Sequence, residues 1–332
     1  MITRVANADS PPPAMTFTKN ADVGSGKGSN EPQLITDQTG KTYLTWQGDS
    51  TVAFPGTLVN STTDGTSFTT PKAPDPPGTG TELGGDVALA TTNWPSFTDT
   101  PAPNATGGNG VFWMDLATPP ANTSANCAGD PQTRSAVTND QAATWGNQQS
   151  AGCQPALVDR EWEDSYTDPA FRGSANARAH TVVFGDYHDL ASSAMWLVRS
   201  SDGGTTWDTT PYSVFNSTTT QGARSDCNTI VGGIATDKRG AHKGRVYVTW
   251  SSSDVTTNVA TGCNDTQAQP FDHVFIGYSD DAVTGATPPT FHLADVFDDP
   301  CASGPGGVPT ATTITQCQDV SELFTPVTVD DA

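Results

Sequence analysis

The groups able to do chemistry in this chain crowd into two short stretches, Val158-Asp159-Arg160-Glu161-Trp162 and Asp186-Tyr187-His188-Asp189. Asp86 stands upstream of them, and Arg224 and Asp226 stand downstream. An arginine fork matches a carboxylate through two parallel hydrogen bonds, while carboxylates, His and Tyr are the side chains that give and take protons. The set suits recognition of a polar ligand and acid–base work upon it. The same residues have a structural use as well: Asp159 and Arg160 as an internal ion pair, and Tyr187, His188 and Asp189 as a polar strand end with local capping bonds. Other nucleophilic systems are absent. There is no Gly-x-Ser-x-Gly elbow, no phosphate-cradling glycine loop ahead of a helix and no His-Glu-x-x-His. With 5 His in all, and only His188 in suggestive company, a metal centre finds few ligands.

The elements that must hold these groups are set by a recurring phrase. It reads Ser200-Ser201-Asp202-Gly203-Gly204-Thr205-Thr206-Trp207 in its clearest copy and Thr138-Asn139-Asp140-Gln141-Ala142-Ala143-Thr144-Trp145 in a second. Thr62-Thr63-Asp64-Gly65-Thr66-Ser67-Phe68 is a shortened third copy, and a worn fourth begins at Ser279-Asp280-Asp281. This is turn chemistry: the Asp carboxylate accepts backbone N–H groups across the turn, Gly supplies positive φ, and the aromatic ring packs between units. Hairpins precede each copy. Gln33 to Trp46 reads as strand, Asp/Gly turn and strand, and the pattern returns over Val231 to Trp250. Between them, Asp86-Val87-Ala88-Leu89-Ala90 goes with Val111 to Leu116, and Val158 to Trp162 with Thr181 to Phe184. Taking Tyr43, Phe112, Val183 and Tyr247 as equivalent gives spacings of 69, 71 and 64 residues, one four-stranded unit per repeat. Third strands are expected at Thr51 to Leu58, Arg134 to Thr138, Ala194 to Arg199 and His273 to Tyr278.

The phrase at residues 200 to 207 resembles the Asp-box, or BNR repeat, of the sialidase-type β-propellers. The resemblance implies an all-β fold of four-stranded antiparallel blades, with the Asp-box turns away from the binding face, so Asp64, Asp140, Asp202 and Trp207 are structural. In sialidases an arginine triad clamps the sugar carboxylate, a Tyr paired with a Glu is the nucleophile and an Asp is acid and base. Innermost strands line the propeller axis. The catalytic candidates that follow are Asp86, Asp159, Arg160, Glu161 and Tyr187, with His188, Asp189, Arg224 and Asp226 as binding candidates. The Phe/Tyr-Arg-Ile-Pro phrase that announces the first arginine of that family is absent. Phe171-Arg172-Gly173-Ser174 shares two letters with it and follows two boxes, so the role is not carried over. Trp162, Trp196 and Trp250 are expected to pack between blades rather than to stack on sugars.

Phe324 to Ala332 matches the opening of the hairpin at Pro32 to Asp37. The expected organisation is a flexible N-terminal arm over residues 1 to 30, rich in Pro and Gly, then a propeller over 31 to 332 of four blades plus the first strand of a fifth. Sialidase-type propellers are generally six-bladed, so an incomplete part of a ring is expected.

With 32 Gly and 25 Pro and only 15% charged residues, turns dominate and long amphipathic helices have nowhere to form. The formal charge of -21 argues against nucleic acid and anionic membranes as partners, because both need Lys and Arg to meet phosphate. Solubility, a salty habitat or scattered Ca²⁺ sites are its other readings; Asp295 to Asp299 is too short and irregular to name as a calcium loop, and no cofactor is required. The 6 Cys lack CxxC spacing, so loop-closing bridges Cys127 with Cys153, Cys227 with Cys263 and Cys301 with Cys317 are the simplest pairing. Such bridges place the protein outside the cell or in a periplasm. No signal peptide or membrane span is visible. Two functions are expected to compete: a secreted sialidase-like glycoside hydrolase acting on terminal sugars of extracellular glycans, and a noncatalytic propeller that binds carbohydrate or a protein partner.

Overall fold

The computed structural model describes residues 29–37, 39–48, 57–74, 86–92, 110–117, 132–151, 158–172, 174, 176–189, 194–216, 218–225, 229–239, 241–252, 273–285, 287–298 and 325–329. Among the described residues, fifteen strands build four antiparallel sheets in chain order. The first sheet holds β1 (Ser29–Thr36), β2 (Thr42–Gly48) and β3 (Thr57–Thr62), with Lys72 bridging to Val59 where a fourth strand would run. The second holds β4 (Val87–Thr91), β5 (Val111–Ala117), β6 (Gln132–Thr138) and β7 (Gly146–Ser150). The third holds β8 (Val158–Thr167), β9 (Thr181–Asp189), β10 (Ala194–Ser200) and β11 (Tyr212–Ser213). The fourth holds β12 (Thr229–Thr236), β13 (Val246–Ser252), β14 (His273–Ser279) and β15 (His292–Asp298). One six-residue helix, α1 (Thr220–Ser225), leads into the fourth sheet.

Each sheet is a blade that stacks face to face on the next, so the core lies between blades rather than inside one. Tyr43 meets Leu89 and Trp113 between blades one and two, and Phe112 and Val137 meet Val183 between two and three. Phe184, Leu197, Val248 and Trp250 fill the third boundary. Innermost strands also bond directly across the boundaries. Ser165 donates its hydroxyl to the Thr91 carbonyl at 2.5 Å, and Thr236 donates to the Ser165 carbonyl at 2.9 Å. This is a β-propeller of four-stranded antiparallel blades. Trp207 packs on the second boundary, Trp196 beside it, and Trp162 and Trp250 on the third, as inter-blade packing requires.

The Asp turns repeat atom for atom. The hydroxyls of Thr62, Thr138, Ser200 and Ser279 donate to Oδ1 of Asp64, Asp140, Asp202 and Asp281 at 3.1, 2.6, 2.9 and 2.8 Å. Each Oδ1 then accepts a backbone N–H beyond the turn, from Ser67, Thr144, Thr206 and Thr290. In the worn fourth copy it is Asp281 that closes the turn, while Asp280 takes the guanidinium of Arg245 at 2.7 Å. Gly65, Gly203 and Gly204 adopt positive φ as expected, but Gln141 (φ 59) and Ala142 (φ 66) do so without glycine. Lys41 of blade one donates to the Gln141 carbonyl at 3.1 Å across the boundary.

Three sequence expectations shift. The third strand of blade one is described over Thr57–Thr62 and runs past the expected end at Leu58, because the Asp turn at Thr62 must follow the strand directly, while residues 51–56 of that expectation lie outside the described set. Alignment on the turns makes Phe184, not Val183, the equivalent of Tyr43, Phe112 and Tyr247: it pairs with Arg199 as those three pair with Ser61, Val137 and Tyr278. Strand β1 begins at Ser29, two residues inside the expected arm, whose residues 1–28 lie outside the described set. At the other end, residues 325–329 pack on blade four, where Thr249 donates its hydroxyl to the Thr325 carbonyl, without pairing into a sheet among the described residues. All six cysteines, and so their pairing, lie outside the described residues.

Candidate functional site

The Asp-turn hydroxyl residues sit opposite Thr42, Val111, Val183 and Val246, near the start of each second strand and the end of each innermost one. The candidate residues lie at the other end. Asp86 directly precedes β4, Asp159 and Arg160 open β8, and His188 and Asp189 close β9. Asp159 and Ser165 are six residues apart on one strand, or about 20 Å at a strand's rise. One rim of the propeller therefore carries the turns and the opposite rim carries the chemistry.

Local irregularity aims the groups on that rim. The pairing of β8 with β9 breaks at a bulge between Asp159 and Trp162, and inside it Arg160 adopts φ 58. Left-handed backbone costs a non-glycine residue about 1–2 kcal/mol, so surrounding contacts must hold it. Asp86 of blade two supplies them: its Oδ2 accepts the Arg160 backbone N–H at 2.8 Å, and its Oδ1 takes Nη1 at 3.3 Å. The pair is mostly shielded, with side chains 13% and 24% exposed.

On the other side of Arg160, the Asp159 carboxylate is 34% exposed and faces His188, whose ring is 2% exposed. Nε2 of His188 lies 3.4 Å from Asp159 Oδ2, and Nδ1 lies 2.7 Å from the Thr229 carbonyl oxygen of blade four. Burial pushes the Asp159 carboxyl up, but its hydrogen bond and charge interaction with His188, together with Arg160, outweigh that and leave it below the usual carboxylate range. A run of Asp86, Arg160, Asp159, His188 and the Thr229 carbonyl thus crosses three blades at one rim.

The remaining candidates are placed differently. Tyr187 is fully buried among Ala88, Met114, Val158 and Val198, and burial followed by the charge of Asp189 pushes its phenol up. Its hydroxyl presents no surface to a ligand in this structure. Glu161 is buried at 2% exposure and Asp189 at 5%, neither presenting a surface to a ligand. Arg224, on α1, meets the outer strands of blade four: its Nη2 approaches the His273 ring at 2.6 Å and Nη1 lies 4.0 Å from Asp295 of the outermost strand. Asp226 lies outside the described residues.

Two acidic residues of blade three, Glu163 and Asp164, escaped selection, and a third, Asp186, lies in a selected stretch without being a candidate itself. Asp164 of β8 accepts Lys238 Nζ at 2.8 Å and the Thr236 backbone N–H at 2.7 Å, both from blade four. Glu163 and Asp186 are buried without a donor at hydrogen-bonding geometry on either carboxylate oxygen, and burial pushes both carboxyls well above the usual range. Their signal in the sequence is an acid on a strand whose two faces are both covered, where no acid reaches water. Among the described residues no group of three or more His, Cys, Asp or Glu is arranged to hold a metal ion, and no helix is long and apolar enough to cross a membrane.

No protein-family model and no curated protein sequence matches the chain. Solved structures of similar fold include the GH93 α-L-arabinofuranosidase of Fusarium graminearum in complex with arabinobiose, at 12% identity and a TM-score of 0.46. That match covers 80% of this chain and 66% of the arabinofuranosidase, so the chain spans just under two thirds of its length. The α-L-arabinanase of Penicillium chrysogenum complexed with arabinobiose is similar at 12% identity and a TM-score of 0.44, over 83% of this chain and 69% of that one. The Hadza microbial sialidase Hz136 is similar at 12% identity and a TM-score of 0.31, over 82% and 58%. Likenesses this distant say nothing about activity.

Proposed function

We propose that the chain belongs to a glycan-directed propeller hydrolase whose ligand meets the rim where β4, β8 and β12 begin. The observation that carries this reading is the Asp86, Arg160, Asp159 and His188 run, in which one carboxylate is held ionised yet a third exposed beside a guanidinium. Glycoside hydrolysis uses an ionised carboxylate to stabilise an oxocarbenium-like transition state or to activate water, and a second group to protonate the leaving oxygen. Asp159 has the first property. Within that class the Asp-box phrase favours an exo-acting sialidase type on terminal sugars, with the chemistry resting on carboxylates because Tyr187 is sealed in the core. A glycan substrate also fits work outside the cell, as paired cysteines would require.

A second reading, a noncatalytic propeller that binds carbohydrate or a protein, is favoured by the way Arg160 and Arg224 are engaged by Asp86, His273 and Asp295. One experiment separates the two. The chain is assayed against fluorogenic sialosides and arabinofuranosides and, in parallel, for binding to a glycan array. Hydrolysis that falls by about 100-fold or more in Asp159→Asn, with the circular dichroism spectrum unchanged, supports the hydrolase. Binding without turnover supports the second reading, and neither activity refutes both.

A further inference from the structure

The Asp159 and His188 pair joins the proposed ligand rim to the next blade. A carbonyl oxygen only accepts, so the 2.7 Å contact with Thr229 places a proton on His188 Nδ1. Nε2 then faces the Asp159 carboxylate at 3.4 Å. A bare ring nitrogen and a carboxylate oxygen are two acceptors and do not attract, so this contact is a hydrogen bond only if it too holds a proton. We propose that His188 is a positioning residue: it bonds through both nitrogens, fixing the Asp159 carboxylate on the ligand rim and anchoring it to the innermost strand of blade four. This rests on the reading of that rim given above.

Comparison of the blades argues for a role beyond filling space. Aligned on the Asp turns, the places equivalent to His188 hold Gln47, Leu116 and Ser251, and Leu116 shows that an aliphatic side chain fits a boundary there. At this place blade three alone of the four holds an imidazole, and it lies opposite the Asp159 carboxylate. The groups facing the ring are Asp159 from β8, the Thr229 carbonyl from β12, and Asp186 two residues earlier on the same face of β9. On the far side of Asp159, the left-handed Arg160 is held by Asp86, so the carboxylate stands between two anchored groups on neighbouring blades.

The test is nitrogen NMR of the chain labelled at histidine, with the His188 signals assigned by their loss in His188→Gln. The expected result is a proton held on each ring nitrogen, and in Asp159→Ala a ring that keeps the Nδ1 proton and loses the one on Nε2. A bare Nε2 in the wild type, or a ring unchanged in Asp159→Ala, overturns the proposal. Should His188→Gln fail to fold, the His188 signals are assigned by single replacement of the other four histidines, and the comparison with Asp159→Ala is unchanged. Where a sialoside or arabinofuranoside is turned over, His188→Gln is expected to lower kcat by on the order of 100-fold with KM little changed, and an unchanged kcat overturns the positioning role. Absence of any turnover counts against the hydrolase reading alone, since the imidazole signals decide the pair without it.

Discussion

Replacing Asp164 by alanine removes the densest polar tie between blades three and four. Oδ2 of Asp164 accepts the Thr236 backbone N–H at 2.7 Å and Lys238 Nζ at 2.8 Å, and it also lies 2.9 Å from the Thr236 hydroxyl. These bonds are not equivalent. Thr236 is 1% exposed, so its N–H would be left buried without an acceptor, which costs about 1–3 kcal/mol. The Thr236 hydroxyl has one proton and a second acceptor, the Ser165 carbonyl at 2.9 Å, so it loses little. The lysine pair is partly exposed on both sides and contributes about 0.2–1 kcal/mol. Asp164→Ala should therefore destabilise by about 1–4 kcal/mol, roughly a 5- to 800-fold loss in the folding equilibrium. Lys238→Ala should cost under about 1 kcal/mol and should cost less in high salt. Urea unfolding followed by tryptophan fluorescence measures both. A Lys238→Ala variant as unstable as Asp164→Ala would refute the reasoning, because the surface charge rather than the buried N–H would then hold the blades.

Asp186 makes a prediction about pH. Burial keeps its carboxyl protonated in the fold well above the usual range, despite the nearby backbone N–H groups of Asp186 and Trp162, whereas in the unfolded chain it ionises near about 3.9. Above that pH the unfolded chain has released a proton that the fold keeps, so stability falls as pH rises, by up to about 1.4 kcal/mol per unit until the folded carboxyl ionises. Asp186→Asn should remove this contribution, and urea midpoints from pH 4 to 7 that run parallel in the two proteins would contradict it. Glycine substitutions should separate strain from collision. Gly65 (φ +68) has open space around a new Cβ, so Gly65→Ala should cost about 1 kcal/mol of strain. Gly203 (φ +67) would drive its Cβ into the Arg178 carbonyl, so Gly203→Ala should lower the melting temperature clearly further, and equal losses would refute the distinction.

Blade number and strand order are legible in the chain because both depend on short-range signals. An Asp two residues after a Ser or Thr closes the same turn in all four blades, and the β-rich hairpins lie at a nearly constant distance before it. Where the signal weakened, position slipped, as at Val183 for Phe184 and in the third strand of blade one, whereas the worn fourth copy, read from Ser279, places its turn at Asp281. A slip of one residue in a strand moves a side chain to its other face. That is why Tyr187, read from the sequence as part of a reactive strand end, is packed against blade two, while its neighbour His188 faces blade four.

The sequence by itself determined the repeat, its Asp turns, the all-β class and the two stretches that hold the chemistry, since each follows from local propensity and period. The tertiary structure decided which of those groups meet. Asp86 reaches Arg160 across 74 residues of chain and His188 reaches Thr229 across 41. No spacing encodes such contacts, because they exist only once neighbouring blades have stacked and a bulge has turned Arg160 and Asp159 to opposite sides.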